Sequence, residues 1–281
     1  MAHRLADRAD AIAARHFRAG GIVGRAKADG SPVTAVDLDI EHTVRALIND
    51  ARPGDAFLGE EFGGFGQGRR RWIVDAIDGT ASFLAGEPEW GTLIGLADGD
   101  GVGLGMVTAP ACGQRWWAVR ESGAWAAALP RAPAVPPTRL AVTAATELRD
   151  ATIGIWPPPA RLTPRDRRLA AGLAARARAT VPAVDWHDTT SSAAVRKPST
   201  GSGTCHGALL VATGQIDAFL LLGAGPWDIA ALIPIVEEAG GAYSDLSGHR
   251  SDGARSALFS AFALHQRILD VIAVGSGRGP G

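Results

Sequence analysis

At 281 residues the chain has room for one large domain or two ordinary ones around a buried core. A net charge of −1, 46% apolar residues and no acidic or basic block argue against nucleic acid or an anionic membrane as the main partner. The longest apolar run, Ile229 to Val236, is too short to span a bilayer, and a start studded with Arg and Asp is not a signal peptide. Cys112 and Cys205 allow one bridge at most and read as free thiols in a reducing cytosol. Lys27 and Lys197 are the two lysines against abundant arginine, which reads as GC-rich coding.

In chain order, Leu5, Ala9, Ile12 and His16 share one face of a first helix. Residues 27–34 form a loop by composition. Ile40, Val44, Leu47 and Ile48 are the inward stripe of a second helix, which Thr34 and Asp37 can cap. Thr92 to Val119 reads as a strand meander in which Asp98-Gly99-Asp100-Gly101 is a hairpin turn; it lacks the further acids of a calcium loop. Pro130 to Pro137 looks like a linker. Ala141 to Ile155 restarts a sheet, Arg165 to Ala179 is an Arg-rich helix, and Val184 to Gly203 is a long loop near the site. Ala208 to Leu222 returns to helix and strand, and Pro226 to Gly241 reads as one helix with an acid at its start and glycines past its end.

The chemistry concentrates in Trp72-Ile73-Val74-Asp75-Ala76-Ile77-Asp78-Gly79-Thr80-Ala81-Ser82-Phe83. A short buried strand runs into two carboxylates three residues apart. Burying both needs a compensating positive charge, for which a divalent cation is the usual choice. Gly79 lets backbone approach a ligand, and Thr80 supplies a hydroxyl. Gly59-Glu60-Glu61 adds paired acids after another apolar run, and Trp227-Asp228 opens the late helix. Gly203-Thr204-Cys205-His206-Gly207 has the outline of a nucleophile elbow without the strand such an elbow needs, and reads as a buried cysteine and a helix-start histidine. The glycines at 101, 103 and 105 lack the context of a dinucleotide loop.

Taken together, the Gly-Glu-Glu segment, the Asp75-to-Thr80 segment and the Trp227-Asp228-Ile229-Ala230-Ala231 helix with its Glu238-Ala239-Gly240-Gly241 end closely resemble the inositol monophosphatase superfamily. The histidinol-phosphatase type is the nearest look within it, on Lys27 to Thr34, Thr108-Ala109-Pro110 followed by Arg115-Trp116-Trp117-Ala118, Leu209 to Gly214, and Ile233 to Gly241. Ser31 through Glu41 also matches that family's S-P-V-T-x-x-D-x-x-x-E pattern. The resemblance implies an α/β fold of αβαβα layers. Its halves would be residues 1–137, with most metal ligands, and residues 138–281, with Asp228 and the substrate side. It further implies a Mg2+-dependent phosphomonoesterase, acting on a small-molecule phosphate ester with two or three ions, in the cytoplasm and as a homodimer. Glu60, Asp75 and the Ile77 carbonyl would hold one ion, and Asp75, Asp78 and Asp228 a second. Thr80, oriented by Asp37, would prepare the attacking water, and the N–H groups of Gly79 and Thr80 would face the phosphate.

The chain departs from the family pattern in places. Ala76 stands where the family has proline, which is expected to loosen the metal loop. Thr204 and Leu221 replace positions where relatives tend to carry acids, and Ser260-Ala261-Phe262-Ala263 replaces an Asn-Gly segment. The core chemistry is retained and the substrate pocket altered. Two substrates therefore compete: histidinol phosphate, and a cyclitol, sugar or nucleoside phosphate of a specialised pathway. A non-catalytic scaffold is the third reading.

Overall fold

The computed structural model describes residues 1–28, 30–129, 135–188 and 204–275. The chain starts with α1 (Ala2–Ala19), a small hairpin of β1 (Gly24–Ala26) and β2 (Pro32–Thr34), and α2 (Ala35–Ala51). There follow β3 (Ala56–Gly59), β4 (Gly63–Phe65), β5 (Arg71–Asp78), the one-turn α3 (Thr80–Ala85), β6 (Gly91–Asp98), β7 (Gly101–Ala109), β8 (Gln114–Val119), β9 (Ala124–Ala128) and β10 (Thr138–Arg139). The later elements are β11 (Thr152–Trp156), α4 (Pro164–Ala174), β12 (Ala179–Val181), α5 (Thr204–Ala212), β13 (Ala218–Leu222), α6 (Pro226–Ile229), α7 (Leu232–Glu238), β14 (Gly241–Ser244), β15 (Ser256–Ala261) and α8 (Phe262–Gly275).

Eight strands form one sheet in the order β10-β9-β8-β7-β6-β5-β3-β4, and five form another in the order β12-β11-β13-β15-β14. Strand alternation assigns the layers. On β5, Trp72 and Val74 face α1 and α2, while Ile73 faces the other way, into a core shared with α5, α6 and α7. On β13, Phe219 and Leu221 look into that same shared core, whereas Ala218, Leu220 and Leu222 look out to α4 and α8. The outcome is helix, sheet, helix, sheet, helix. Both sheets are covered on both faces, so their central strands read as continuous apolar runs.

Two close approaches fix the middle layer. Gly95 on β6 and Gly105 on β7 stand directly opposite each other. A Cβ on Gly105 would lie 1.9 Å from the Ala231 carbonyl oxygen, and one on Gly95 would lie 3.1 Å from the Ala230 Cβ. This glycine pair makes a flat seat for the segment that carries Asp228. Gly105→Ala is expected to push that segment off the sheet at a cost of about 2–3 kcal/mol, measured by urea unfolding. Unchanged stability would mean that the seat is not needed.

The structure differs from the sequence reading at several elements. His16 is exposed, and its place facing inward is taken by Phe17, which packs on Phe83 and Trp90 at 5.7 and 5.2 Å between ring centroids. Residues 27–34, expected to be a loop, include β2 and the turn of a hairpin. The sheet expected to restart near Ala141 restarts at Thr152, and the Arg-rich helix ends at Ala174 before the chain turns into β12. The expected single helix from Pro226 is split into α6 and α7. Pro234 is the cause: it has no N–H to donate to Ala230, and its ring crowds that carbonyl. Of the expected linker and site loop, residues 130–134 and 189–203 lie outside the described residues. No described helix is long and apolar enough to cross a membrane.

Candidate active site

Strand pairing brings the acids together. β3 runs parallel to β5 with Gly59 opposite Val74, so Glu60 and Asp75 follow side by side at the carboxyl ends of neighbouring strands. Asp75 and Asp78 are three residues apart, and plain alternation would turn them to opposite faces of the sheet. The register breaks between them: Asp75 pairs with Leu93 but Asp78 with Gly91, three steps on β5 against two on β6. This bulge brings the two carboxylates to one side. Asp228 arrives from α6, and the carboxylates of Asp75, Asp78 and Asp228 each place an oxygen within 4.8 Å of the others.

Asp75 and Asp78 are buried and Asp228 is partly exposed. Burial, reinforced by the charges of Glu60, Asp78, Asp228 and Asp37, pushes the Asp75 carboxyl well above its ordinary value. Burial and then Asp78 push Asp228 up to about 8, against the N–H of Gly225 and the charge of Lys27. Oδ1 of Asp75 is buried with no hydrogen-bond partner among the described residues. An orphaned anionic oxygen among converging acids fits a hard divalent cation, whose ligands are carboxylate and carbonyl oxygens.

Asp37 touches both of the threonines that the sequence reading paired it with. Its Oδ2 accepts from the Thr34 hydroxyl (2.5 Å) and the Thr34 N–H (2.9 Å), completing the capping box of α2. Its Oδ1 accepts from the Thr80 hydroxyl at 3.3 Å, and that hydroxyl also lies 3.0 Å from the Ile77 carbonyl oxygen. Asp228 likewise combines capping with clustering, since its Oδ2 accepts the Gly225 N–H at 2.6 Å. Gly79 has φ +85°, and a Cβ there would sit 2.8 Å from the Glu89 carbonyl oxygen, so the turn into α3 requires glycine.

Such convergence has counterparts. The model of the inositol monophosphatase family matches residues 1–273. The chain belongs to that family. It is 36% identical over 277 residues to a histidinol-phosphatase of Mycobacterium tuberculosis, covering 98% of this chain and 97% of that protein. It is 33% identical over 279 residues to one from Streptomyces coelicolor, at 96% and 94% coverage. In fold it superposes on a Thermotoga maritima IMPase with a TM-score of 0.76 at 24% identity, over 98% and 96% of the two chains. The inositol monophosphatase family and these relatives make the chain a phosphoric monoester hydrolase of a metal-dependent family.

Within that family frame, Glu60 is the one expected ligand side chain that stands outside the compact acid cluster. Its Oε1 accepts from Lys27 Nζ at 2.7 Å, and Glu61 Oε1 accepts from the same ammonium at 2.7 Å. Burial works against the lysine charge, but the hydrogen bonds it donates to Glu60 and Glu61 outweigh it and hold the ammonium above its ordinary value. Burial raises the Glu61 carboxyl against the pull of Lys27. The lysine's rarity in an arginine-rich chain was the signal that sequence reasoning spent on codon bias.

Sequence reasoning also gave no role to Glu41, which is fully buried on α2. Its carboxylate accepts the N–H groups of Glu61 (2.8 Å) and Phe62 (3.0 Å), fixing the backbone of the Gly-Glu-Glu turn from behind. Gly59 leaves the room, because a Cβ there would lie 2.0 Å from Glu41 Oε1. Glu41→Ala is expected to cost about 2–3 kcal/mol in urea unfolding, since it strands two N–H groups. A loss below 0.5 kcal/mol, on the order of surface noise, would show the turn to be self-supporting. Cys205 is buried at the start of α5, and burial, with Asp78 beside it, keeps its thiol protonated. Its contribution is structural: the Cys205 N–H donates to Asp78 Oδ2 at 2.8 Å.

Proposed function

We propose that the enzyme hydrolyses histidinol phosphate or a close relative, using Mg2+, with two or three ions held by Glu60, Asp75, the Ile77 carbonyl, Asp78 and Asp228. The observation that carries this reading is the buried Asp75 oxygen without a hydrogen-bond partner, set among Asp78, Asp228 and the Thr80–Asp37 pair. When bound, divalent cations neutralise the phosphate dianion and make water a nucleophile near neutral pH.

The chain's own groups do the rest. The N–H groups of Gly79 and Thr80 face a phosphate oxygen at the turn into α3. Thr80 Oγ1 takes a proton from the attacking water while its own proton passes to Asp37 Oδ1, 3.3 Å away. Burial raises the Asp37 carboxyl above its ordinary value against the hydrogen bonds of Thr34, which suits a group that must accept a proton. The near-full-length likeness to histidinol-phosphatases supports the leaving group.

A second reading, a cyclitol or sugar phosphate, is favoured by Leu221. It is 1% exposed in the apolar core at a position where the family tends to place an acid. A buried ammonium on the substrate would need such a partner. Phosphate release from histidinol phosphate, inositol monophosphate, sugar phosphates and nucleoside monophosphates, compared by kcat/KM, separates the readings. A sugar or cyclitol phosphate preferred tenfold or more, about 1.4 kcal/mol, over histidinol phosphate would replace the first with the second. A cytoplasmic homodimer completes the proposal, and a monomeric mass by light scattering would remove the dimer.

Ala76 lies in the bulge, and its carbonyl accepts from the Thr92 hydroxyl at 2.8 Å, a contact proline would keep. Ala76→Pro is expected to stiffen the loop and tighten Mn2+ binding about twofold by calorimetry. No gain would mean that the bulge alone holds the acids in place.

A further inference from the structure

We propose that Lys27 is an internal counter-cation of the metal site: its ammonium holds Glu60 in the metal-free protein, and a divalent ion takes Glu60 by displacing it. The inference rests on the reading of Glu60 as a metal ligand and adds an exchange that this reading does not contain.

The geometry carries it. Lys27 Nζ lies 2.7 Å from Glu60 Oε1 and 2.7 Å from Glu61 Oε1, so one ammonium bridges the two carboxylates. An ion that takes this Glu60 oxygen must displace the ammonium, and an ion on Oε2 would still meet the like charge of Lys27 across one carboxylate, so ion binding favours release of the lysine.

The position of Lys27 also favours exchange over support. The Gly-Glu-Glu backbone is fixed independently by Glu41, through the N–H groups of Glu61 and Phe62. Withdrawing Lys27 leaves that anchor in place, and Glu60 stays at the end of β3 beside Asp75. Lys27 itself projects from a hairpin whose strands are three residues each, and all three residues of β1 are exposed. β2, with Val33 and Thr34 buried, anchors the hairpin, while the exposed β1 side that carries Lys27 is the part free to yield. Its charge reaches Asp228 as well, where it offsets part of the repulsion from Asp78 and Glu60. Lys27 thus relieves the acid cluster while no ion is present, and exchanges places with the ion that replaces it.

Two readouts on the full-length protein test this. Calorimetric titration with Mn2+ compares wild type, Lys27→Met and Glu60→Gln in one buffer. Limited trypsin digestion with and without Mn2+, followed by mass spectrometry, monitors cleavage after Arg25 on β1. Lys27→Met is expected to bind Mn2+ about fivefold tighter, the effect of removing one partly exposed ion pair. In the wild type Mn2+ should accelerate cleavage after Arg25, and in Lys27→Met cleavage should be fast and indifferent to Mn2+. If Glu60→Gln weakens Mn2+ binding but Lys27→Met does not tighten it, the exchange is overturned and the ligand reading stands. Tighter binding in Lys27→Met with wild-type cleavage insensitive to Mn2+ also overturns it, since that is repulsion at a distance. If Glu60→Gln binds Mn2+ as the wild type does, both the ligand reading and the exchange fall.

Discussion

Asp75→Asn and Asp228→Asn are each expected to slow phosphate release by roughly a thousandfold, about 4 kcal/mol, while raising the melting temperature of the metal-free protein. The opposite signs follow from one electrostatic fact. Asp75, Asp78 and Asp228 place oxygens within 4.8 Å of one another, and two of the three side chains are buried. With no cation present their mutual repulsion and desolvation oppose folding. An asparagine needs neither a buried charge nor an added proton in that cluster and can donate its amide hydrogens to the remaining carboxylates, in Asp228→Asn toward the space beside the unpartnered Asp75 Oδ1. The gain should be on the order of 1–2 kcal/mol, a shift of about 3 °C or more for a chain of this size. Added Mn2+ should reverse the order, stabilising wild type strongly and the variants weakly, because an ion that binds only the folded state adds its binding energy to stability. The measurements are thermal unfolding in EDTA and in Mn2+, beside a phosphate-release assay. Variants that lose stability in EDTA would mean that the acids are held by unseen partners. Variants that keep wild-type turnover would mean that phosphate release does not depend on these acids, and would remove their reading as metal ligands.

Much of this site was legible because its parts are local. The apolar run into Asp75, the Gly-Glu-Glu turn after β3 and the Trp227-Asp228 start of α6 announce themselves within a few residues. The hairpin at Asp98 to Gly101 and the capping of α2 by Thr34 were equally local and equally readable. What was not legible depends on pairing between distant segments. No stretch of β5 reveals that it has one residue more than β6 between Asp75 and Asp78, yet that bulge turns the two acids to one side. Gly105 looked like a failed nucleotide loop because its use, a seat for Ala231, exists only once β7 and α7 meet. The break between α6 and α7 was written in Pro234, but the apolar periodicity across it masked the signal. The contact of Lys27 with Glu60, 33 residues away, was not legible because nothing in 27–34 shows where the hairpin folds. Asp37 shows how two roles meet in one side chain, since its Oδ2 accepts from Thr34 and its Oδ1 from Thr80.

That division of labour at Asp37 sets the second large effect. Thr80→Val keeps the shape of the side chain and the backbone N–H but deletes the hydroxyl that donates toward Asp37 Oδ1. It is expected to lower kcat about 10²–10³-fold with KM little changed, since the hydroxyl serves proton transfer and not substrate holding. Thr80→Ser, which retains the hydroxyl, should keep activity within about tenfold of wild type. Asp37→Asn should show a comparable fall in kcat and, unlike Thr80→Val, a stability loss of about 1 kcal/mol, because its Oδ2 also completes the capping box with Thr34. The decisive measurement is the double variant. If the water's proton moves through Thr80 to Asp37, removing either one breaks the same path, and Thr80→Val with Asp37→Asn together should be no slower than the slower single variant. Losses that multiply would mean that the two side chains contribute to the rate separately and not along one proton path. A Thr80→Val enzyme with unchanged kcat would assign the proton to another acceptor and leave Thr80 only its backbone N–H at the phosphate.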